Sequence, residues 1–551
     1  MLQGRSWSSL VLAALCLAAA VGALRQDPRQ ILLLKNTLLL AAGSCAISLP
    51  LGTAFALLLR RADVFGGRLA MALIAGMLMV PLYLQAAAWD AGFGQLGWCS
   101  SVRGPGLPPL LSGWTAAVWV HGMAAIPWVA LLVSAALAHV EPELEEDAML
   151  AGSPWRVFRH VTLPRMTTGI AVAAGWVLLS VSVDMTVTDL FRVRTYAEEI
   201  YTGFALGDSL TGAWRAAAPG ILAQAALILV AMAVALHAAP SLSTPVSLVR
   251  ISRLRRARVP VAAVTLIFCL LIAGIPLMNL VVKAGLVVRQ VGGERLRQWC
   301  AEHFCRIVAS SLFRFRQEFG WSLLIGGLAA TCALIAGAGL AWWARRGGWR
   351  AMPAVALCAC GLAIPGPLIG LGVIWIMDRS EPSILIWLYD RTILAPVLAI
   401  AIRSLPLATL CCWYVLRSVA DDALDCAACE GAGPWLRFWL VAWPQRRFGL
   451  AAAWLAVFAS ATGDLACSIL VVPPGVTTVP IRVFGLIHVG VDDQVAGLCL
   501  LMFVGVAAAV AAVLWLLRRH DVFLRAGRSW LPFARRRVRR QIPDGELDAG
   551  Q

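Results

Sequence analysis

Long apolar runs separated by short polar segments make up most of this 551-residue chain. A helix needs about 20 mostly apolar residues to cross the hydrocarbon core of a bilayer, because every backbone amide must find its partner inside the helix. The pattern therefore predicts an all-α, polytopic membrane protein. We predict twelve spans, at 8–24, 37–59, 69–89, 115–140, 167–190 and 216–236, and at 261–282, 321–343, 351–376, 393–416, 450–472 and 496–517.

The first run, 8–24, has two interpretations. Arg5, a short apolar stretch and small residues near Ala23 are typical of a cleaved signal peptide. The equivalent run at 261–282 opens the second half of the chain and cannot be a signal. We therefore favour an anchor that is retained.

Charge fixes the predicted orientation. The chain is 60% hydrophobic and 14% charged with a net charge of +16, unlike a soluble domain. Arginines cluster in the loops that join even-numbered to odd-numbered spans, which places these loops and both termini in the cytoplasm. They sit at helix ends beside anionic headgroups, so we predict membrane lipid and no nucleic acid as a partner. The segment 283–320 is an exception, because it holds six arginines and is predicted to lie outside.

Two polar segments, 145–164 and 425–444, repeat one pattern of acids, small residues, a Gly/Pro break, Trp-x-x-Phe and a closing proline. Trp155 and Trp435 are 280 residues apart, and so are Pro164 and Pro444. We interpret the chain as a parallel duplication with its motif loops at 141–165 and 421–447. The predicted units are a first repeat at 1–240, a basic cytoplasmic linker at 241–260, a second repeat at 261–517 and a tail at 518–551.

Each motif loop is predicted to contain two short helices. Acidic residues stabilise the start of the first short helix because they interact favourably with its dipole. In the second short helix, Trp and Phe are three residues apart and share one face. Such a face either docks a partner or lies in the membrane interface. Two copies at one spacing favour docking. The predicted docking residues are Glu145, Glu146, Asp147, Ala148, Gly152, Trp155, Phe158 and Pro164 in the first loop, and Asp425, Cys426, Ala427, Gly431, Trp435, Phe438 and Pro444 in the second.

Two acids inside predicted spans, Asp184 and Asp464, keep the same 280-residue spacing. A carboxylate at this depth faces a partner, a cavity or water. We predict either that both line an outer gate for a cationic cargo or that each bonds to a neighbouring helix. His121 and Arg403 have no counterpart at that spacing, and we assign them to helix packing or snorkelling.

Prolines inside the apolar runs either unwind helices along a pathway or kink them. They are Pro81, Pro127, Pro365, Pro367 and Pro406, of which Pro365 is our candidate pathway residue.

Other chemistry is poorly represented. The only lysines, Lys35 and Lys283, are not followed by Ser or Thr, so the chain lacks a P-loop and is predicted to be a transport subunit without its own ATPase or catalytic site. Cys300, His303 and Cys305 are compatible with a disulfide, with unpaired thiols or with a weak metal site, and we predict no metal and no cofactor.

The second motif loop resembles the Glu-Ala-Ala loop of permease subunits of ATP-binding-cassette (ABC) importers. In that pattern an acid, two small residues, three variable residues and a glycine precede an apolar stretch that ends in proline, as in Asp425-Cys-Ala through Gly431 to Pro444. The first loop fits in two registers. Either Glu146-Asp-Ala leads to Gly152 with one residue fewer before Pro164, or Glu145 takes the acid position and Ala151 the glycine position.

Further segments resemble fused, double-length permeases of the ferric-iron class. They are 473–480, 484–496 and the broken-helix segment 364–370, with looser equivalents at 189–201 and 80–82. Thiamine and phosphonate permeases share much of this pattern.

The resemblance implies a type I ABC importer permease in a bacterial inner membrane, with two six-helix repeats around a substrate pathway. Two separate ATPase subunits would bind ATP and clamp the motif loops, and an extracytoplasmic binding protein would deliver the substrate, ferric iron being our first choice. The rival interpretation is a secondary transporter that needs no ATPase, since parallel repeats occur in that class too. The paired motif loops favour the importer.

Overall fold

The computed structural model describes residues 28–102, 107–138, 140, 142–205, 210–238, 258–291, 294–347, 350–378 and 383–529. The predicted span at 8–24, most of the linker and the end of the tail lie outside these residues. Up to residue 238 the helices are α1 (Pro28–Arg61), α2 (Gly67–Met79), α3 (Leu82–Phe93), α4 (Trp98–Val102), α5 (Gly113–Leu137), α6 (Pro142–Ala151), α7 (Pro154–Val157), α8 (Leu163–Val183), α9 (Thr186–Leu190), α10 (Tyr196–Ala205) and α11 (Leu210–Ala238).

The second half begins with α12 (Arg258–Cys269) and α13 (Ile275–Gly285), which a π turn at Leu270–Gly274 joins into one helix. A hairpin of β1 (Leu286–Val291) and β2 (Glu294–Trp299) follows. The remaining helices are α14 (Ala301–Arg314), α15 (Arg316–Ala344), α16 (Ala351–Ala363), α17 (Gly366–Met377), α18 (Ser383–Arg391), α19 (Leu394–Arg417), α20 (Asp421–Cys429), α21 (Pro434–Arg437), α22 (Trp443–Thr462), α23 (Val479–Val489) and α24 (Asp492–Ser529).

Among the described residues, seven helices are long and apolar enough to cross a membrane, or up to nine if each of two bent pairs is one span. The bent pairs are α2–α3 and α16–α17, which turn by 104° and 106°. Pro81 and Pro365 lie in the breaks, and the residue before each proline is extended, as the proline ring favours. Pro127 and Pro406 instead lie inside continuous helices.

The predicted spans 167–190 and 450–472 have wrong boundaries. The helices end at Val183 and Thr462, because the chain turns at Asp184 and at Gly463-Asp464 instead of continuing as a helix. The predicted span 216–236 coincides with α11, which is outside the group of seven, as is α22. The total of twelve spans therefore remains a prediction.

The first helix of the second half packs on the first half. Asn279 on α13 is buried, and its Nδ2 donates to the carbonyl of Ala88 at 3.1 Å while its Oδ1 accepts from Trp98 Nε1 at 3.2 Å. Gly92 permits this approach, since a Cβ there would lie 2.3 Å from Asn279 Cγ. The two halves of the sequence are therefore in direct contact through the hydrogen bonds of the buried Asn279.

The segment 283–320, predicted as an outer loop, contains the β hairpin and the amphipathic helix α14. Cys300 and Cys305 are free thiols, so a disulfide is absent from this hairpin and helix. The hairpin follows α13, the C-terminal part of the joined helix α12–α13. The N-terminal end of this joined helix, at Arg258, faces Asp63, which lies just after α1. Arg61 in turn contacts the first motif loop. The hairpin is therefore at the end of the bundle opposite this loop, despite its arginines.

Candidate functional site

The first motif loop is fixed to the bundle through Glu145. Arg61 donates from Nη1 and Nη2 to the two carboxylate oxygens of Glu145 at 2.6 and 2.9 Å, and Thr162 Oγ1 donates to Oε1 at 2.6 Å. Both ion-pair side chains are largely buried, which makes this a strong bidentate contact. Glu146 and Asp147 are exposed. Glu145 is also the acid that lies 280 residues before Asp425, as in the second of the two registers.

The second motif loop is held differently. Arg345 donates to Asp421 Oδ1 at 2.7 Å and to the carbonyls of Leu416 and Val419 at 3.2 and 2.9 Å. Asp425 is exposed, and Ala442 replaces Thr162. Asp421, Asp425 and Arg345 face a cleft of about 360 Å³. It is lined by Trp342, Arg345, Arg346, Asp421, Leu424, Asp425 and Arg437.

Glycine ends the first helix of only one motif loop. Gly431 has φ 85°, and the amide of Ala432 donates to the carbonyl of Ala427 at 2.9 Å, which closes the helix end. Gly152 does not adopt this left-handed conformation, and α6 continues to Ala151. Gly152 and Gly431, which one of the two registers pairs, therefore differ in backbone conformation.

The tryptophans of both loops project from the bundle. Trp155 is 68% and Trp435 62% exposed, as a docking face requires. Phe158 is half-buried and stacks on Trp155 at 5.5 Å, whereas Phe438 is buried beneath Trp435, with its ring 5.4 Å from that of Trp342. Phe438 is thus much less exposed than Trp435, because its ring fills the space between the loop and α15.

A π turn precedes the closing proline in both loops, at Phe158–Thr162 and Phe438–Ala442. Pro164 and Pro444 have no amide hydrogen, and a proline ring clashes with the carbonyl four residues before it in a regular helix. A wider π turn accommodates that position. The proline spacing was visible in the sequence, but its effect on the helix was not predicted.

The two intramembrane acids are brought together. Asp184 and Asp464 line one cavity of about 320 Å³ between the halves. Its other lining residues include Pro81, Tyr83, Trp128, Trp176 and Arg403. Each carboxylate also accepts a local amide hydrogen bond, from Val187 and from Cys467, both at 3.0 Å.

His121 and Arg403 were assigned to packing, and this assignment is incomplete. His121 is buried on α5 with Nε2 3.3 Å from Asp184 Oδ2. Arg403 on α19 lines the cavity beside Asp464 and donates to the carbonyls of Gly361 and Ile364 at 3.3 and 3.2 Å. These two basic residues are 282 residues apart, so a search at 280 missed them.

Pro365 lies beside the cavity and not in its lining. It is buried at the break between α16 and α17, next to the Ile364 carbonyl that Arg403 binds. Among the described residues, no group of three or more His, Cys, Asp and Glu side chains is arranged to hold a metal ion.

A polar contact outside the spans also joins the halves. His488 Nε2 on α23 is 3.1 Å from Asp189 Oδ2 on α9. This hydrogen bond raises the pKa of His488 above its usual value, against the lowering effect of burial, while nearby Arg192 acts in the lowering direction. The contact is therefore strongest when the imidazole is protonated.

The chain matches no protein-family profile. It is 29% identical over 211 residues to the putrescine transport system permease protein PotI of Escherichia coli, which covers 36% of this chain and 70% of that protein. The same protein from a second Escherichia coli strain matches to the same extent. Over this stretch the chain is thus similar to the permease protein of a transport system, and its apolar helices indicate a multi-pass membrane protein.

Proposed function

We propose that the chain is the fused permease subunit of an ATP-driven ABC importer in a bacterial inner membrane, and that it imports a cation. The observation that carries this proposal is the cavity shared by the two halves, with a carboxylate from each, Asp184 and Asp464. Carboxylates at this depth are costly to hold in a lipid-facing position and suit a polar pathway.

Energy enters through separate ATPase subunits at the two motif loops. Trp155 and Trp435 provide the exposed contacts, and the Arg61–Glu145 pair transmits movement of the first loop to α1. An extracytoplasmic binding protein delivers the cargo at the other end of the bundle. The two halves then alternate around the cavity.

The cavity favours an organic ammonium ion over a bare metal ion. Its walls include Tyr83, Trp128 and Trp176, and aromatic faces attract ammonium groups. Putrescine, the cargo named for the relative, is such a cation. Ferric iron remains the second candidate on the resemblance of segments 473–480 and 484–496. A phosphonate is an anion, which two carboxylates would repel. Thiamine is a cation and is therefore tested beside putrescine and ferric iron.

The experiment is uptake by proteoliposomes that contain the full chain, its ATPase subunit and its binding protein, with putrescine, ferric iron and thiamine as cargoes. We expect uptake that requires ATP and falls at least about tenfold in Asp184→Asn and Asp464→Asn, because a buried charge pairing is removed. Asp378→Asn, an exposed acid outside the cavity, is the matched control.

Other outcomes identify the rivals. Uptake driven by an ion gradient without ATP would make the chain a secondary transporter. A complete lack of uptake under all conditions would favour a membrane scaffold.

A further inference from the structure

The second motif loop carries an apolar band that the first loop lacks. The band consists of Leu436, Trp439, Leu440 and Trp443, each between 41% and 65% exposed. The residues 280 positions earlier are Arg156, Arg159, His160 and Leu163, the first three of them exposed. The same surface is thus cationic in one loop and aromatic in the other.

The band points away from the helix bundle. Phe438 and Ala442, on the opposite face of the same helical turns, are buried against it. The exposed line continues along α22 to Arg447 and Ala451, without a break between the loop and the apolar helix. Whatever surrounds α22 therefore also contacts the band.

We propose that this band is immersed in the phospholipid bilayer, at the boundary between headgroups and acyl chains, and that the first motif loop stays outside it. Tryptophan is enriched at this level of a membrane because its ring is apolar and its N–H is polar. An amphipathic helix with arginine beside its apolar face binds anionic lipid in the same way, and Arg447 occupies that position here.

An ATPase subunit is a poorer occupant of the band. A pair of ATPases would meet a surface present in both motif loops, such as Trp155 and Trp435. The band is present in one loop alone, so its partner contacts only the second half. This inference rests on the predicted span at 450–472, which begins within α22, and does not require ATP-driven transport.

The test is photolabelling of the full wild-type chain in vesicles of phosphatidylethanolamine and phosphatidylglycerol, with a trace of phosphatidylcholine that carries a diazirine in its acyl chain. Adducts are mapped by mass spectrometry. We expect residues 435–443 to be labelled several-fold more than residues 155–163, with the exposed side of α19 as an internal standard for lipid contact.

A variant with the first loop's residues, Trp439→Arg with Leu440→His, should reduce labelling of 435–443 to the level of 155–163. Labelling of α19 should stay unchanged, which shows that the variant is folded and inserted. Equal labelling of the two loops in the wild-type chain would overturn the proposal. So would loss of the adducts when the cognate ATPase is added, because the band would then be a protein interface.

Discussion

Arg61 contacts both carboxylate oxygens of Glu145, whereas Arg345, at the end of the corresponding helix, contacts Asp421 and leaves Asp425 exposed. The two motif loops therefore share a sequence pattern but are anchored by different contacts. In the first loop the anchoring acid, Glu145, lies within α6. In the second loop the anchoring acid, Asp421, is the first residue of α20.

This difference predicts unequal effects of removing the two acids. Glu145→Ala should destabilise the protein by about 3 kcal/mol, because it leaves Arg61 as an unpaired charge at a largely buried site. Asp425→Ala should change stability by less than about 0.5 kcal/mol, as is usual for an exposed residue. Thermal unfolding in detergent measures both. Equal losses would contradict the anchoring scheme.

The left-handed turn at Gly431 gives a second prediction. Gly431→Ala should destabilise the protein by about 1 kcal/mol, since an L-residue resists this conformation. Gly152→Ala is the matched control in the other loop and should be close to neutral, because its φ is ordinary and an added Cβ would meet only van der Waals contacts at 3.6 Å or more. The unfolding midpoints of the two variants measure these effects. A larger loss of stability in Gly152→Ala than in Gly431→Ala would contradict the left-handed turn at Gly431.

The contact between His488 and Asp189 predicts a pH dependence. The pKa of His488 is raised in the folded protein, so its contribution to stability is complete below the pKa of the unfolded state and is lost as the pH rises through the folded-state value. His488→Gln should therefore lower the unfolding temperature more at about pH 6 than at about pH 8.5, the range around histidine titration.

His160→Gln, which replaces an exposed histidine on the first motif loop, is the control for the same change of side chain. Asp189→Asn, which removes the other partner of the contact, should also lower the unfolding temperature more at the lower pH than at the higher pH. If His488→Gln lowers the unfolding temperature equally at both pH values, the charged form of the contact does not contribute.

Asn279 provides a test of how the halves are joined. Asn279→Ala should destabilise the protein by about 2 kcal/mol, because it leaves the Ala88 carbonyl and the Trp98 indole N–H without their partner in a buried site. Asn36→Ala, which removes an exposed hydrogen bond to the Arg194 carbonyl, is the control and should have a small effect. A denaturant titration that shows no difference between the two variants would contradict this account.

The sequence was sufficient for the features that depend on local pattern. Apolar runs indicated the helices, and the prolines at 81 and 365 marked the two breaks, since each restricts the residue before it. The constant spacing of Asp184 and Asp464 singled out two acids that line one cavity.

Features that depend on contacts between distant elements were not predictable in this way. His121 and Asp184 come from different helices, and so do Arg403 and the broken end of α16, and no periodic pattern registers such contacts. The ends of α8 and α22 were placed too late because hydropathy continues beyond the acids that terminate them. The β hairpin was missed because its strands are short and rich in charge.

The position of α13 against α3 connects the two halves of the chain. Asn279 and Lys283 bond to residues of the first half, while Lys283 also pairs with Asp492 on α24, so the first helix of the second half contacts helices of both halves. This helix therefore joins the two halves of the chain through side-chain contacts as well as through the polypeptide. If the polypeptide were cut between residues 239 and 257, the contacts of Asn279 and Lys283 with the first half would keep the two fragments associated.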